Sequence, residues 1–303
     1  MLITCLLFPR AAPGTSRRVS TDPEIFDRAL WRRRRDRALP RFAEHDFLFE
    51  RMAADIEDRL DFVSRSFTRA LDLGTADGRL ARRLRARGIP TIACDPGFAA
   101  AKAAGGIQCD ADRLPFADAS FDLIVSVGLL DGINDLPGAL ALARRALKPD
   151  GLFLAAFCGA GTLGALRSGL LSGDGGPAAA RIHPQIDVRA AGDLLSRAGF
   201  AMPVTDTDRV TVRYASPLTL MHDLRGMAAT NRLRDRAPPL SRPDLAAVFA
   251  HAAGVADADG RIAERFDIVH LSGWAPADSQ PRPARRGSGR VSLADALKPK
   301  SSE

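Results

Sequence analysis

The chain has 303 residues, 46% hydrophobic and 26% charged, an ordinary globular composition with enough length to bury a core in one large domain or two small ones. Lys+Arg 43 against Asp+Glu 36 leaves +7, but the surplus is almost all arginine in an Arg- and Ala-rich chain, so it identifies no acidic partner. Cys5, Cys94, Cys109 and Cys158 show no C-x-x-C spacing, which argues against a zinc site; no metal is expected, and the thiols read as buried and reduced, in a cytoplasmic setting.

The first apolar run stops at Phe8 with no charged segment before it, too short for a secretion signal, so residues 1–21 read as a disordered start. "PEIFDRALWRRRRDRAL" reads as a helix with Ile25, Phe26, Ala29 and Leu30 on one face and the arginines on the other. A second helix starts at Asp46, with Leu48, Met52, Ile56 and Leu60 at spacings of four. From residue 69 short apolar strands follow: "RALDL", "PTIAC", "GIQC", "FDLIVSVG" and "GLFLAAF". Helical stretches follow several of them, "LPGALALARRALK" most clearly. Continuous apolar strands alternating with helices predict a parallel sheet covered on both faces. "KPDG" is a turn, and "GLFLAAFCGAGTLGALRSGLL" a buried strand running into a loop rather than a membrane span, given its glycines and Arg167. Then come a helix ("VRAAGDLLSRAGF", stopped by Gly199), a half-exposed strand ("PVTDTDRVTVRY"), two helices ("SPLTLMHDLRGM", "SRPDLAAVFAHAA") and a final strand ("RFDIVHLSGWA"). The division this gives is a helical cap at 22–66, a doubly wound α/β domain at 67–275 with a helical insertion near 216–260, and a flexible tail at 276–303.

In such a sheet ligands bind at the carboxyl ends of the strands. "DLGTADG" places a tight glycine turn between a strand and a helix, with Gly74 free to adopt unusual backbone angles and the loop N–H groups facing a polar ligand. Asp95 ends the next strand, where an acid accepts both hydroxyls of a ribose; a charge-assisted hydrogen bond contributes roughly 1.5–3 kcal/mol. Asp110 follows "IQC", placed to meet an adenine amino group, and Val127 and Gly128 floor the hollow. Taken singly each feature is commonplace; their order and spacing together point to a nucleoside cofactor.

"LDLGTADGRLA", "ACDPG", "CDADRLPFADASFDLIVSVGLL", "NDLPGAL" and "ALKPDGLFLAAF" resemble the successive motifs of class I S-adenosylmethionine-dependent methyltransferases. "IFDRALWRRRRDRA", "HDFLFE", "GTLGALR", "LMHDLRGM", "TNRL" and "SGWAPADSQPRPARRGS" extend the resemblance to the group holding a mitochondrial complex I assembly factor and its bacterial relatives, which are similar to the malonyl-ACP carboxyl methyltransferase of biotin synthesis. The resemblance spans roughly residues 24–297. It implies a Rossmann-like seven-stranded sheet with an antiparallel last hairpin and S-adenosyl-L-methionine as cofactor. It also implies that Asp72, Gly74, Thr75, Ala76 and Gly78 surround the methionine end, that Asp95 holds the ribose, and that Asp110 and Ala111 touch the adenine. Three positions depart from the pattern: Ala76 replaces a glycine, Asp131-Gly132 stands where His-Trp is common, and Gly161 where an Asp is common.

Methyl transfer from a sulfonium needs alignment and exclusion of water more than acid–base help. Asp131 is the one weak catalytic candidate, as base or orienting group, against a capping or loop role. Tyr214 reads as strand-end packing, and His183 and His222 as surface or structural. The complex I relative is associated with arginine hydroxylation, yet no His-x-Asp/Glu spacing for iron is present. The arginines of residues 31–37 are suited equally to an acidic protein surface or to solvent. No Asn/Asp-Pro-Pro-Tyr/Phe motif ends the "FDLIVSV" strand, which argues against nucleic acid as substrate. The ranking is a modifying enzyme acting on a protein or acyl-carrier substrate in the complex I assembly group, then a carboxyl O-methyltransferase, then a non-catalytic assembly chaperone, with no stable membrane insertion.

Overall fold

The computed structural model describes residues 24–172, 181–281 and 292. A seven-stranded sheet forms the centre, in the order β3-β2-β1-β4-β5-β7-β6. Its strands are β1 (Ala70–Leu73), β2 (Thr91–Asp95), β3 (Ile107–Gln108), β4 (Phe121–Val127), β5 (Leu147–Cys158), β6 (Ala201–Tyr214) and β7 (Ile262–Trp274). The first five run parallel, while β7 lies antiparallel between β5 and β6. The strand order reverses between β1 and β4, which creates the crevice at the carboxyl edge.

Both faces are covered. On one, Leu140 and Ala143 of α5 (Leu136–Ala146) and Leu195 of α7 (Val188–Arg197) pack on Phe121, Phe153 and Phe157. On the other, Met52 and Ile56 of α2 (Phe47–Asp61), Leu84 of α3 (Arg79–Ala86) and Leu220 of α8 (Pro217–Gly226) pack on Leu123, Val125 and Leu154. Side-chain caps set the helix starts: Asp135 accepts from Gly138, Asp187 from Ala190, and Ser241 with Asp244 forms a reciprocal capping box on α9 (Arg242–Gly254).

Four expectations need correction. Helix α1 (Arg28–Ala38) begins later than its apolar pattern suggested: Phe26 pairs as an isolated bridge with Leu233, and Ile25 is exposed. Its faces are also reversed, for Trp31, Arg35 and Ala38 point inward. "GTLGALRSGLL" holds a helix, α6 (Gly164–Leu171), because the Glu264 carboxylate of β7 accepts from its free Ala165 and Leu166 N–H groups. The "KPDG" turn is absorbed into β5 as an irregularity, with Asp150 at φ 66°. Cys94 and Cys109 are not thiols: they form a disulfide across neighbouring strand ends, Cα atoms 6.1 Å apart. Residues 1–21, expected to be disordered, and nearly all of the tail beyond 281 lie outside the described residues.

Candidate cofactor and acceptor site

After β1 the chain turns through Gly74 (φ 91°) and Ala76 (φ 52°) to Gly78 (φ 78°), the N-cap of α3. Gly74 has no alternative, since a Cβ there would lie 2.8 Å from the Leu129 Cβ. Ala76 holds the left-handed conformation a glycine holds without strain. The turn's N–H groups do not all face outward as expected. Those of Gly74 and Thr75 reach the Cys94 carbonyl oxygen (2.7 and 3.0 Å), and that of Gly78 reaches Thr75. The Ala76 N–H donates to Asp95 Oδ2 at 2.9 Å. Thr75 Oγ1 donates to Asp72, which is sealed from solvent. Burial pushes the Asp72 carboxyl up to about 7; the Thr75 hydroxyl opposes the shift and the Asp95 charge adds to it. Asp72, Gly74, Thr75, Ala76 and Val127 line a hollow of only about 30 Å³ beside Phe49.

Three acids at and just beyond the ends of β2 and β3, namely Asp95, Asp110 and Asp112, meet one helix. Arg35 of α1 grips Asp95 with two hydrogen bonds, Nε to Oδ1 at 2.8 Å and Nη2 to Oδ2 at 2.5 Å, both side chains buried. The Gly97 N–H also donates to Oδ1 at 2.7 Å. Counting Ala76, each Asp95 oxygen therefore has two donors. Arg32 bonds Asp110, and Arg28 bonds Asp112 with both nitrogens at 2.6 Å while standing 3.4 Å from Asp110. The Asp112 hydrogen bond holds Arg28 more firmly protonated than usual. Ala111 lies buried in the short 3-10 turn between those acids. The sequence marked Asp95, Asp110 and the arginines of residues 31–37, but not Asp112, Arg28 or the union of these groups; residues 28, 32 and 35 share a helix stripe, the only local sign of it.

A second hollow of about 500 Å³ opens at the ends of β4 and β5, where Gly128, Asp131, Cys158 and Thr162 meet Arg35 and Arg232. Phe49 lines both hollows, and its ring sits where a Gly128 side chain would stand, 2.3 Å from that Cβ position. Burial raises the Asp131 carboxyl above its ordinary range, against the pull of Arg232, whose Nη2 is 3.4 Å away. Arg232 is buried, stacked 4.3 Å from the Trp31 ring centre and 5.4 Å from that of Phe26, and its Nε has no hydrogen-bond partner. A Cβ at Gly132 would lie 1.6 Å from its Nη2, so Gly132 makes room for this arginine. Burial raises the Cys158 thiol above its ordinary range.

His183 is half-buried and His222 exposed, while His45 is buried. His183 is pushed down to about 3 by burial and accepts the Arg232 N–H. His45 meets Asp223 at 2.8 Å with the exposed His222 ring edge-on beside it; these three offer ligand atoms within 4.8 Å of one another, a set capable of holding a metal ion that sequence spacing did not reveal. Tyr214 packs in the core. Among the described residues no helix is long and apolar enough to cross a membrane.

The strand order, the glycine turn and the acids at successive strand ends define a class I methyltransferase fold. A family model described as "Methyltransferase domain" matches residues 71–155. Proteins named "Arginine-hydroxylase NDUFAF5, mitochondrial" are 36% identical in Danio rerio (90% of each chain) and 36% identical in Homo sapiens (93% of this chain, 87% of that one). The "Malonyl-[acyl-carrier protein] O-methyltransferase" of Xylella fastidiosa (strain M23) is 32% identical over 83% of this chain and 89% of its own. Two solved structures share the fold: YcgJ of Bacillus subtilis (TM-score 0.53, 17% identity, 74% of this chain and 98% of that one) and Haemonchus contortus phosphoethanolamine N-methyltransferase 2 with S-adenosyl-L-methionine (TM-score 0.53, 16% identity, 82% and 60%). The chain belongs to the S-adenosylmethionine-dependent methyltransferases, in the group that includes these arginine-hydroxylase and malonyl-carrier methyltransferase proteins.

S-adenosylmethionine is the cofactor of this family. The acids and the turn fit a nucleoside in kind and in place, at one crevice, but as they stand the hydrogen-bonding capacity of Asp95 is filled by Arg35 and two backbone N–H groups.

Proposed function

We propose that this protein transfers a methyl group from S-adenosylmethionine to a protein or carrier-bound acceptor, as a modifying enzyme of the complex I assembly group. Asp95 would hold the ribose, Asp110 and Ala111 the adenine, and Asp72 with residues 74–78 the methionine end. Val127 and Gly128 would floor the site. The cofactor supplies an electrophilic methyl on a sulfonium. This chain's own part is to orient the acceptor and keep water out.

The observation that carries the reading is the cavity of about 500 Å³, which borders Gly128 and Asp131 at the crevice and is walled by apolar groups such as Leu48, Met52, Met221 and Phe266. Such a space suits an acceptor delivered on a larger carrier, with the apolar wall excluding water. Asp131 stands at its floor as an orienting group, with Arg232 as its counter-charge.

The second reading, a carboxyl O-methyltransferase, draws support from the cavity's cations. Arg34, Arg35, Arg181, Arg225, Arg232 and Arg236 all line it, a field that favours an anionic acceptor. The two readings part on mass spectrometry after incubation with S-adenosylmethionine and either an arginine-containing peptide or a malonyl-loaded carrier protein. A gain of one methylene unit on either acceptor supports methyl transfer and selects the reading. A gain of one oxygen on the peptide makes the reaction a hydroxylation. No gain on either, with cofactor bound, leaves a non-catalytic assembly role and refutes the enzyme reading.

A further inference from the structure

We propose that Arg35 is a built-in competitor for the nucleoside seat, so that cofactor affinity is set by the release of α1 from the strand-end acids. The inference rests on the cofactor reading above and goes beyond it by naming what regulates that site.

A carboxylate offers about four lone-pair positions. At Asp95 all four are in use, two by the Arg35 guanidinium and two by the N–H groups of Ala76 and Gly97. The backbone donors belong to the turn itself and would persist with any ligand. The guanidinium alone is dispensable, and its two parallel bonds occupy the places that a vicinal diol would take. Arg35 therefore mimics the diol's bidentate pattern with a charge that a diol lacks. It is also no isolated contact. One helical stripe delivers Arg28, Arg32 and Arg35 to Asp112, Asp110 and Asp95, so α1 closes the ribose and adenine positions together.

The geometry distinguishes this from an ordinary solvated ion pair. The Arg35 and Asp95 side chains are 6% and 0% exposed, so each has given up water and depends on the other. A ribose that displaces the guanidinium must find it another partner. The cavity beyond supplies one: Arg35 lines that cavity along with Asp131, and Asp131 already feels the Arg35 charge. Release of Arg35 toward the acceptor cavity would couple the two hollows, with cofactor entry moving a cation from the nucleoside seat to the acceptor wall. The apparent dissociation constant is then the intrinsic one divided by the fraction of molecules with Arg35 released.

Trp31 reports the movement. It lies on α1 with the Arg35 guanidinium 5.7 Å from its ring centre, and Trp274 is the one other tryptophan in the chain. In a Trp274→Phe background, calorimetric titration with S-adenosylmethionine is paired with Trp31 emission. Wild type, Arg35→Lys and Arg35→Met are compared, with the exposed Arg33→Ala as a control for charge on the same helix. Arg35→Lys loses the bidentate grip but keeps a charge for Asp95, which guards against loss of the fold; circular dichroism melts verify it. The expected order of affinity is Arg35→Met above Arg35→Lys above wild type, spanning on the order of tenfold or more, with Arg33→Ala matching wild type. Trp31 emission should shift on cofactor binding in the wild type. Equal or weaker binding by both folded Arg35 variants would make Arg35 a contact rather than a competitor and overturn the proposal, as would an unmoved Trp31. Absence of binding in every variant overturns it too and removes the cofactor reading with it, whereas tight binding without any Arg35 effect removes the proposal alone.

Discussion

Replacing Asp72 by asparagine is expected to stabilise the protein at neutral and alkaline pH and to flatten its pH dependence. Asp72 ends one step before the glycine turn, 1% exposed, with a carboxyl raised from 3.8 to about 7, chiefly because burial penalises the charged form. The sign follows from proton counts. Between these two values the unfolded chain has lost the Asp72 proton and the folded chain keeps it, so folding stability falls as pH rises from about 4 to about 7 and is level above that. A difference of about three units at about 1.36 kcal/mol each amounts to roughly 4 kcal/mol between acid and neutral pH. Asparagine is neutral throughout, and its amide oxygen can still accept from Thr75 Oγ1, which donates to Asp72 at 2.5 Å. Urea unfolding of both proteins from pH 4.5 to 8 reads the difference as a shift in midpoint at constant slope. Near pH 4.5 the variant should lead by only about 1 kcal/mol, and by pH 8 by up to about 4 kcal/mol. Parallel curves for the two proteins would mean that the folded chain holds Asp72 charged, and that burial does not dominate at this seat.

Other substitutions probe the same crevice. Ala76→Gly should raise stability by about 0.5–1 kcal/mol, since the left-handed strain relieved exceeds the entropy a glycine adds; a loss in thermal melts would show that the Ala76 methyl packs usefully. Gly132→Ala should expel Arg232 from its stack on Trp31, read as a change in Trp31 emission and a lower melting temperature. An unchanged spectrum would mean that the arginine yields locally. Cys94→Ala with Cys109→Ala opens a disulfide spanning 15 residues and should cost about 3 kcal/mol in oxidising buffer, the gap closing when reductant is added to both. A gap that persists under reductant would assign the effect to lost packing.

What the sequence made legible was whatever depends on neighbours in the chain. Asp95 and Asp110 could be placed because each directly follows a short apolar strand, and a parallel strand leaves its last residue at the carboxyl edge whatever surrounds it. Gly74 was legible for the same reason, a strand handing over to a helix within a few residues. The partners of these acids were not, because Arg35 and Asp95 stand 60 residues apart and no pattern of α1 alone decides which of its faces is covered. On hydrophobic pattern alone its arginines belong in solvent; three carboxylates concentrated at one edge reverse that preference, since an arginine bidentate to a carboxylate can be buried where an unpaired one cannot. The same rule explains Arg232, which the chain can bury only because Asp131, Trp31 and a bare Gly132 are assembled around it. Helix α6 repeats the lesson at the backbone: "GTLGALR" lacks a cap of its own, and Glu264, almost 100 residues later, provides it. In each case a distant charge overrules a local pattern, and two of the side chains so buried, Arg35 and Arg232, stand at the hollows where cofactor and acceptor are proposed to meet. On the proposals made above, function in this chain depends on which ion pairs yield to a ligand, a property that sits between elements and not within any of them.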